Sequence, residues 1–258
     1  MNPRKNTNEP EVQVAVLEQP ASFLGGDITH PPLADTPQKC PVSRQSKSEE
    51  RLNVLTHGLG IVLSLIGLVV LVVASSSQGH ASLIVSCVVF GVALVFTYTA
   101  STLYHSWSSS DTKKTWRIVD HLSIYILIAG TYTPFTLLGL KGSMGWWLFG
   151  FVWGVALLGI VVKFVFGQRF QRLEVILYLA MGWSAIVVIQ PLKQNLPSMG
   201  FSLLVAGGLA YSLGVVFYVW KRLPYNHAIW HLFVLAGSVC HFFAVGYSFF
   251  PAGSWSWF

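Results

Sequence analysis

The stretch HAIWHLFVLAGSVCHFFAVGYSFF, residues 227–250, contains no Asp, Glu, Lys or Arg and opens on two histidines four positions apart. A bilayer core of about 30 Å needs about 20 apolar residues per helix, so this segment is long enough to cross a membrane. Comparable charge-free intervals precede it at 52–110, 121–140, 142–162, 175–192 and 194–220. The first is interrupted by the polar run SSSQGH at 75–80, so it holds two spans. Seven helices are therefore predicted, over 53–74, 81–105, 118–139, 144–165, 173–191, 200–220 and 228–250.

The composition agrees. The chain is 53% hydrophobic and only 10% charged, whereas a soluble domain carries about a quarter charged residues. Backbone polar groups in lipid must be satisfied within the segment, which leaves continuous helices as the economical structure. The sequence thus predicts an all-α membrane protein, a seven-transmembrane helix bundle over residues 49–258. Residues 1–48 hold seven of the twelve prolines, with five basic and five acidic residues and no apolar run. They read as a disordered tail without a signal peptide, although a regulatory or partner-binding segment also fits.

Basic residues set the orientation. Arg44, Lys47 and Arg51 precede the first helix, and Lys113, Lys114 and Arg117 lie between the second and third. Lys163, Arg169 and Arg172 lie between the fourth and fifth, and Lys221 and Arg222 between the sixth and seventh. The alternate loops carry only Lys141 and Lys193. Eleven against two places the N-terminus in the cytoplasm and the C-terminus, with Trp255, Trp257 and Phe258, outside. This asymmetry accounts for the net charge of +6 without a nucleic-acid partner. Cys40, Cys87 and Cys240 show no C-x-x-C spacing and read as ordinary thiols.

This topology gathers scattered polar residues. STLYH (101–105) ends the second helix on the cytoplasmic side, Asp120 lies about two residues inside the third, and His227 and His231 open the seventh. Residues four apart share a helix face, about 6 Å apart along the axis, so His227 and His231 can reach one ion. Ser101 and His105 have the same spacing. Three imidazoles with a fourth position open is the usual arrangement of catalytic zinc, and ionisable residues inside a membrane are costly enough to suggest function. Taken singly, each has a plainer reading. The histidine pair fits an aromatic interface, Asp120 a carboxylate at a helix N-terminus, and Ser101 a serine bonded back to its own helix. Their common depth favours a metal. His241, about 15 Å along the helix from His231, is expected to be a hydrogen-bonded core residue. His121 points about 100° away from Asp120, so only one of the two is expected to face the cluster squarely. His57, with Asn53 and Thr56, is expected to make interhelical hydrogen bonds, with a supporting role at the metal as the alternative.

With these residues in place, the chain resembles the haemolysin III family, the bacterial branch of the progestin and adiponectin receptors. The resemblance covers 49–250 and rests on EERLNVLTHGLG (49–60), STLYH (101–105), VDHLSIYILIAGTYTPF (119–135) and HAIWHLFVLAGSVCHFF (227–243). It implies a seven-helix bundle with its N-terminus inside and zinc held by His105, His227 and His231. It further implies that Asp120 contacts the metal's water and that Ser101 stands nearby. The wider superfamily includes alkaline ceramidases, which implies a zinc-dependent hydrolase of a lipid amide or ester in the bacterial inner membrane, with membrane lipids as substrate or ligand. The alternatives are a lipid-responsive regulator with structural zinc and, as the family name suggests, a cytolytic pore. No span shows the repeated charges of a channel lining, and no lysine follows Arg222 to hold a retinal.

Overall fold

The computed structural model describes residues 45–108, 110–166 and 171–250, so the expected tail lies outside the described residues except for its last four positions. The helices are α1 (Lys47–Gln78), α2 (Ala81–Ser106), α3 (Ser110–Pro134), α4 (Ser143–Phe166), α5 (Gln171–Gly182), α6 (Ile189–Asn195), α7 (Ser198–Val219) and α8 (Asn226–Phe249). A π turn, Phe135–Gly139, extends α3, and a 3-10 stretch, Trp183–Val188, joins α5 to α6. Taken this way, seven segments are long and apolar enough to cross a membrane, and no strand occurs among the described residues. The protein is an all-helical membrane protein.

Two helices begin well before the sequence reading places them. α1 begins at Lys47 rather than at 53, because Ser46 caps it: the Ser46 hydroxyl accepts the Glu49 N–H at 3.2 Å. Glu49 and Glu50 then fill the first turn, where the helix dipole favours them. α3 begins at Ser110 rather than at 118. Its first two turns carry the lysines taken for a loop, so Asp120 sits nearly three turns inside the helix and not two residues in.

α1 packs along α2 and α8, α2 along α3, and α7 along α8, while α5 closes the ring between α3 and α7 and α4 lies against α3 and α5. The buried face of α1 is its polar one: Glu50, Asn53, His57, Gly60, Ser64, Gly67, Leu71 and Ser75 recur every three or four residues. Leu55, Leu59, Ile66, Val69 and Val73 point outward. This is the pattern of a helix solvated by lipid, where small and polar residues make the helix contacts. Gly60 is one such contact, since a Cβ there would enter the ring of Tyr98.

The extended spans have local causes. Pro134 has no N–H to continue the α-helical ladder, and the chain widens into the π turn that closes with Leu140 N–H to Phe135 O at 3.1 Å. The 3-10 stretch is held by Tyr132, whose hydroxyl donates to Gly182 O (2.6 Å) and accepts the Ala185 N–H (2.9 Å). Trp183 Nε1 donates to Ser212 Oγ at 2.9 Å and ties this span to α7.

Gly58→Leu and Gly60→Leu should separate these surfaces. A Cβ at Gly58 meets nothing within 4 Å, so its leucine should leave thermal stability in detergent unchanged. Leucine at Gly60 overpacks the α1–α2 contact and should cost about 1–3 kcal/mol. Equal melting of the two variants would contradict the packing described.

Candidate metal centre

The centre forms where α1, α2 and α8 meet at the lysine- and arginine-rich end of the bundle. The entry of α8 is fixed by Asn226, whose amide donates to Phe217 O (3.0 Å) and Tyr218 O (3.2 Å) and caps the last turn of α7. One residue later His227 and His231 share one face of the helix, their rings edge-to-face with centroids 4.6 Å apart. His105, in the last turn of α2, brings its ring to 5.0 Å from each. Ligand nitrogens of the three lie within 4.8 Å of one another. These histidines can hold a metal ion. The Nε2 atoms of His105 and His227 are buried and have no hydrogen-bond partner, as metal-ligating nitrogens should be.

Neighbouring side chains fix two of the rings. His105 Nδ1 lies 2.6 Å from Glu50 Oε2; a carboxylate only accepts, so Nδ1 donates to it and Nε2 is the nitrogen left to face a metal. Thr56 Oγ1 donates its one proton to its own helix, at Leu52 O (2.9 Å) or Asn53 O (3.1 Å). It therefore accepts from His231 Nδ1 at 3.2 Å, which again leaves Nε2 free. Metal-bound histidines are usually oriented in this way. Glu50 is itself neutralised by the buried Lys113, whose Nζ donates to Oε1 at 2.9 Å and to Trp107 O at 3.2 Å. The carboxylate can thus be buried without stranding its charge.

A cavity of about 200 Å³ starts at His57, Ser101, Asp120, His227 and His231 and runs past Leu127, Ile128, Val205 and Phe135 to Leu140 and Leu192. Its walls are mainly aliphatic and aromatic. Ser101 is 1% exposed and its hydroxyl has no partner, so it is not bonded back to α2. Asp120 and Ser101 line the cavity beside two of the three histidines.

His121 also lines the cavity, but its ring is turned to α5 and not to the three histidines. Its Nδ1 lies 3.1 Å from Glu174 Oε2, and the buried Lys163 donates to Glu174 Oε1 at 2.6 Å. His241 is buried with Nδ1 donating to Gly237 O at 2.8 Å, the core role expected. Asn53 and Thr56 reach across to His105 and His231. His57 makes no hydrogen bond through either nitrogen; it stacks on His231 instead, centroids 3.5 Å apart. Of the surrounding groups, Glu50, Lys113, Lys163 and Glu174 escaped the sequence reading. The spacing of Glu50, Asn53 and His57 along one face of α1 was the available signal.

The sequence profile of the haemolysin-III-related proteins matches residues 45–242, which includes all three histidines and their partners. The chain belongs to the haemolysin III family. Hemolysin-3 of Bacillus cereus is 47% identical over 210 residues, covering 81% of this chain and 96% of the relative. The Hemolysin-3 homolog of Bacillus subtilis is 49% identical over 197 residues, 76% of this chain and 92% of the relative. The human monocyte to macrophage differentiation factor is 30% identical over 203 residues, 76% of this chain and 83% of its own length. The resemblance seen in the four sequence stretches therefore holds at the level of family.

In this haemolysin III protein, Glu50→Gln removes the carboxylate that fixes His105 while keeping its shape. Metal affinity, titrated against a competing chelator, should fall about 10–100-fold, whereas His241→Ala should leave it unchanged. Unaltered affinity in Glu50→Gln would show that the His105 ring is fixed by other contacts.

Proposed function

We propose that the protein is a zinc-dependent hydrolase of a lipid amide or ester, ceramidase-like, acting near the cytoplasmic face of a bacterial inner membrane. One observation carries this reading: three convergent histidines stand at the head of an apolar cavity that also presents Asp120 and Ser101. Three neutral imidazoles suit zinc with a position left open. Zinc bound there would polarise an acyl carbonyl and make water a better nucleophile at neutral pH.

The chain's own residues supply the rest. The aliphatic walls take up the acyl chain and exclude water from it. Asp120 accepts a proton from the attacking water as its oxygen bonds to the acyl carbon. It returns that proton to the leaving nitrogen or oxygen as the old bond breaks. The Ser101 hydroxyl donates to the acyl oxygen as negative charge collects there. The eleven-to-two distribution of basic residues supports a cytoplasmic position for this end of the bundle.

A second reading, a lipid-responsive regulator with structural zinc, draws support from one feature: the ligands join α2 to α8, so a metal there would fasten the ring of helices. The name of the two Bacillus relatives points to cytolysis; the apolar cavity walls favour a lipid ligand over a conducting path.

Asp120→Asn separates the first two readings. The variant should keep its zinc, since the histidines make the direct bonds, while fatty-acid release falls roughly 10²–10⁴-fold. Zinc content and release are measured on one preparation, wild type beside variant, over ceramides, acyl amides and phospholipids. Equal release from both would exclude the proposed base, and no release from wild type would favour the regulator.

A further inference from the structure

His57 is 3% exposed, lines the cavity, and has no hydrogen-bond partner at either ring nitrogen. The fold satisfies the histidines away from the centre: the buried His241 has Gly237 O and the half-buried His121 has Glu174. The His57 ring is also held in place. One face lies flat on His231 at 11°, and Tyr98 meets it edge-on at 5.1 Å. Tyr98 is anchored in turn by its hydroxyl donating to Ser238 Oγ at 2.7 Å.

A neutral imidazole carries one N–H and one lone pair, and an unmatched buried donor is costly. His57 stands outside the group His105, His227 and His231 whose nitrogens converge, so a shared metal ion does not account for it. Ser101, across the same cavity head on α2, is a second buried donor without an acceptor. Two unmatched donors at the head of an apolar cavity call for a ligand with an acceptor oxygen at the end of a hydrocarbon chain.

We propose that His57 is a specificity-determining residue whose N–H donates to the carbonyl oxygen of an acyl lipid and holds that group against the metal centre. The proposal rests on the reading of the cavity as an acyl-chain site. The acyl oxygen belongs either to a carboxylate or to an amide, and the two are tested side by side.

The test uses full-length, zinc-loaded protein in detergent, with palmitic acid, palmitamide and hexadecane each displacing a pyrene-labelled fatty acid. His57→Phe keeps a flat ring on His231 and removes the N–H; His57→Gln returns an N–H. Wild type should prefer palmitic acid or palmitamide to hexadecane. In His57→Phe that preferred ligand should bind roughly 10-fold more weakly, with hexadecane affinity and zinc content unchanged, and His57→Gln should recover part of the loss. An undiminished acyl preference in His57→Phe would overturn the role of His57 alone. Zinc lost from both variants would make His57 part of the metal site and overturn it as well. A wild type that binds no acyl compound better than hexadecane would overturn the acyl-site reading together with this proposal.

Discussion

Apolar side chains gain nothing by leaving lipid for a helix contact, so helices in a membrane are joined through close packing at small residues and through polar groups that lipid cannot satisfy. α1 shows this constraint most clearly. Its leucines and valines face outward, and a stripe from Glu50 to Ser75 faces α2 and α8. Gly60 and Gly67 in that stripe let Tyr98 and Phe242 approach the backbone. The buried face is thus assembled from residues that would be surface in a soluble protein.

The candidate metal centre lies at the end of that same stripe. Glu50 and Thr56 lie at that end of α1, and each accepts from a histidine of the centre. The contacts that hold α1 against α2 and α8 therefore also orient the His105 and His231 rings. Lys113 completes the set by balancing Glu50, because a carboxylate buried without a cation would be strongly destabilising. A second buried ionic group, Lys163 with Glu174 and His121, joins α4, α5 and α3 on the far side of the cavity. It gives those helices polar contacts where aliphatic packing alone would leave them free to separate.

Much of this was legible in the sequence. Charge-free intervals located all seven spans, since the bilayer penalises charge wherever it occurs. The four-residue spacing of His227 and His231 and the depth of His105 gave the centre. Asp120 was placed too near the helix end because Lys113, Lys114 and Arg117 looked like loop residues. In fact Lys113 is buried against Glu50, and the helix runs through all three. Glu50, Lys163 and Glu174 escaped for the same reason: a charged residue near a membrane boundary reads as solvated until its partner on another helix is known. His57 was expected to hydrogen-bond and instead stacks on His231.

The most direct measurement is zinc K-edge X-ray absorption of the purified protein at one metal per chain. Three imidazole nitrogens about 2.0–2.1 Å from the metal, with one further light-atom ligand, are expected. That signal should vanish when His105, His227 and His231 are replaced together. A spectrum requiring a sulfur ligand, an imidazole signal that survives the triple replacement, or protein that binds no metal at all would contradict a centre built on these three histidines.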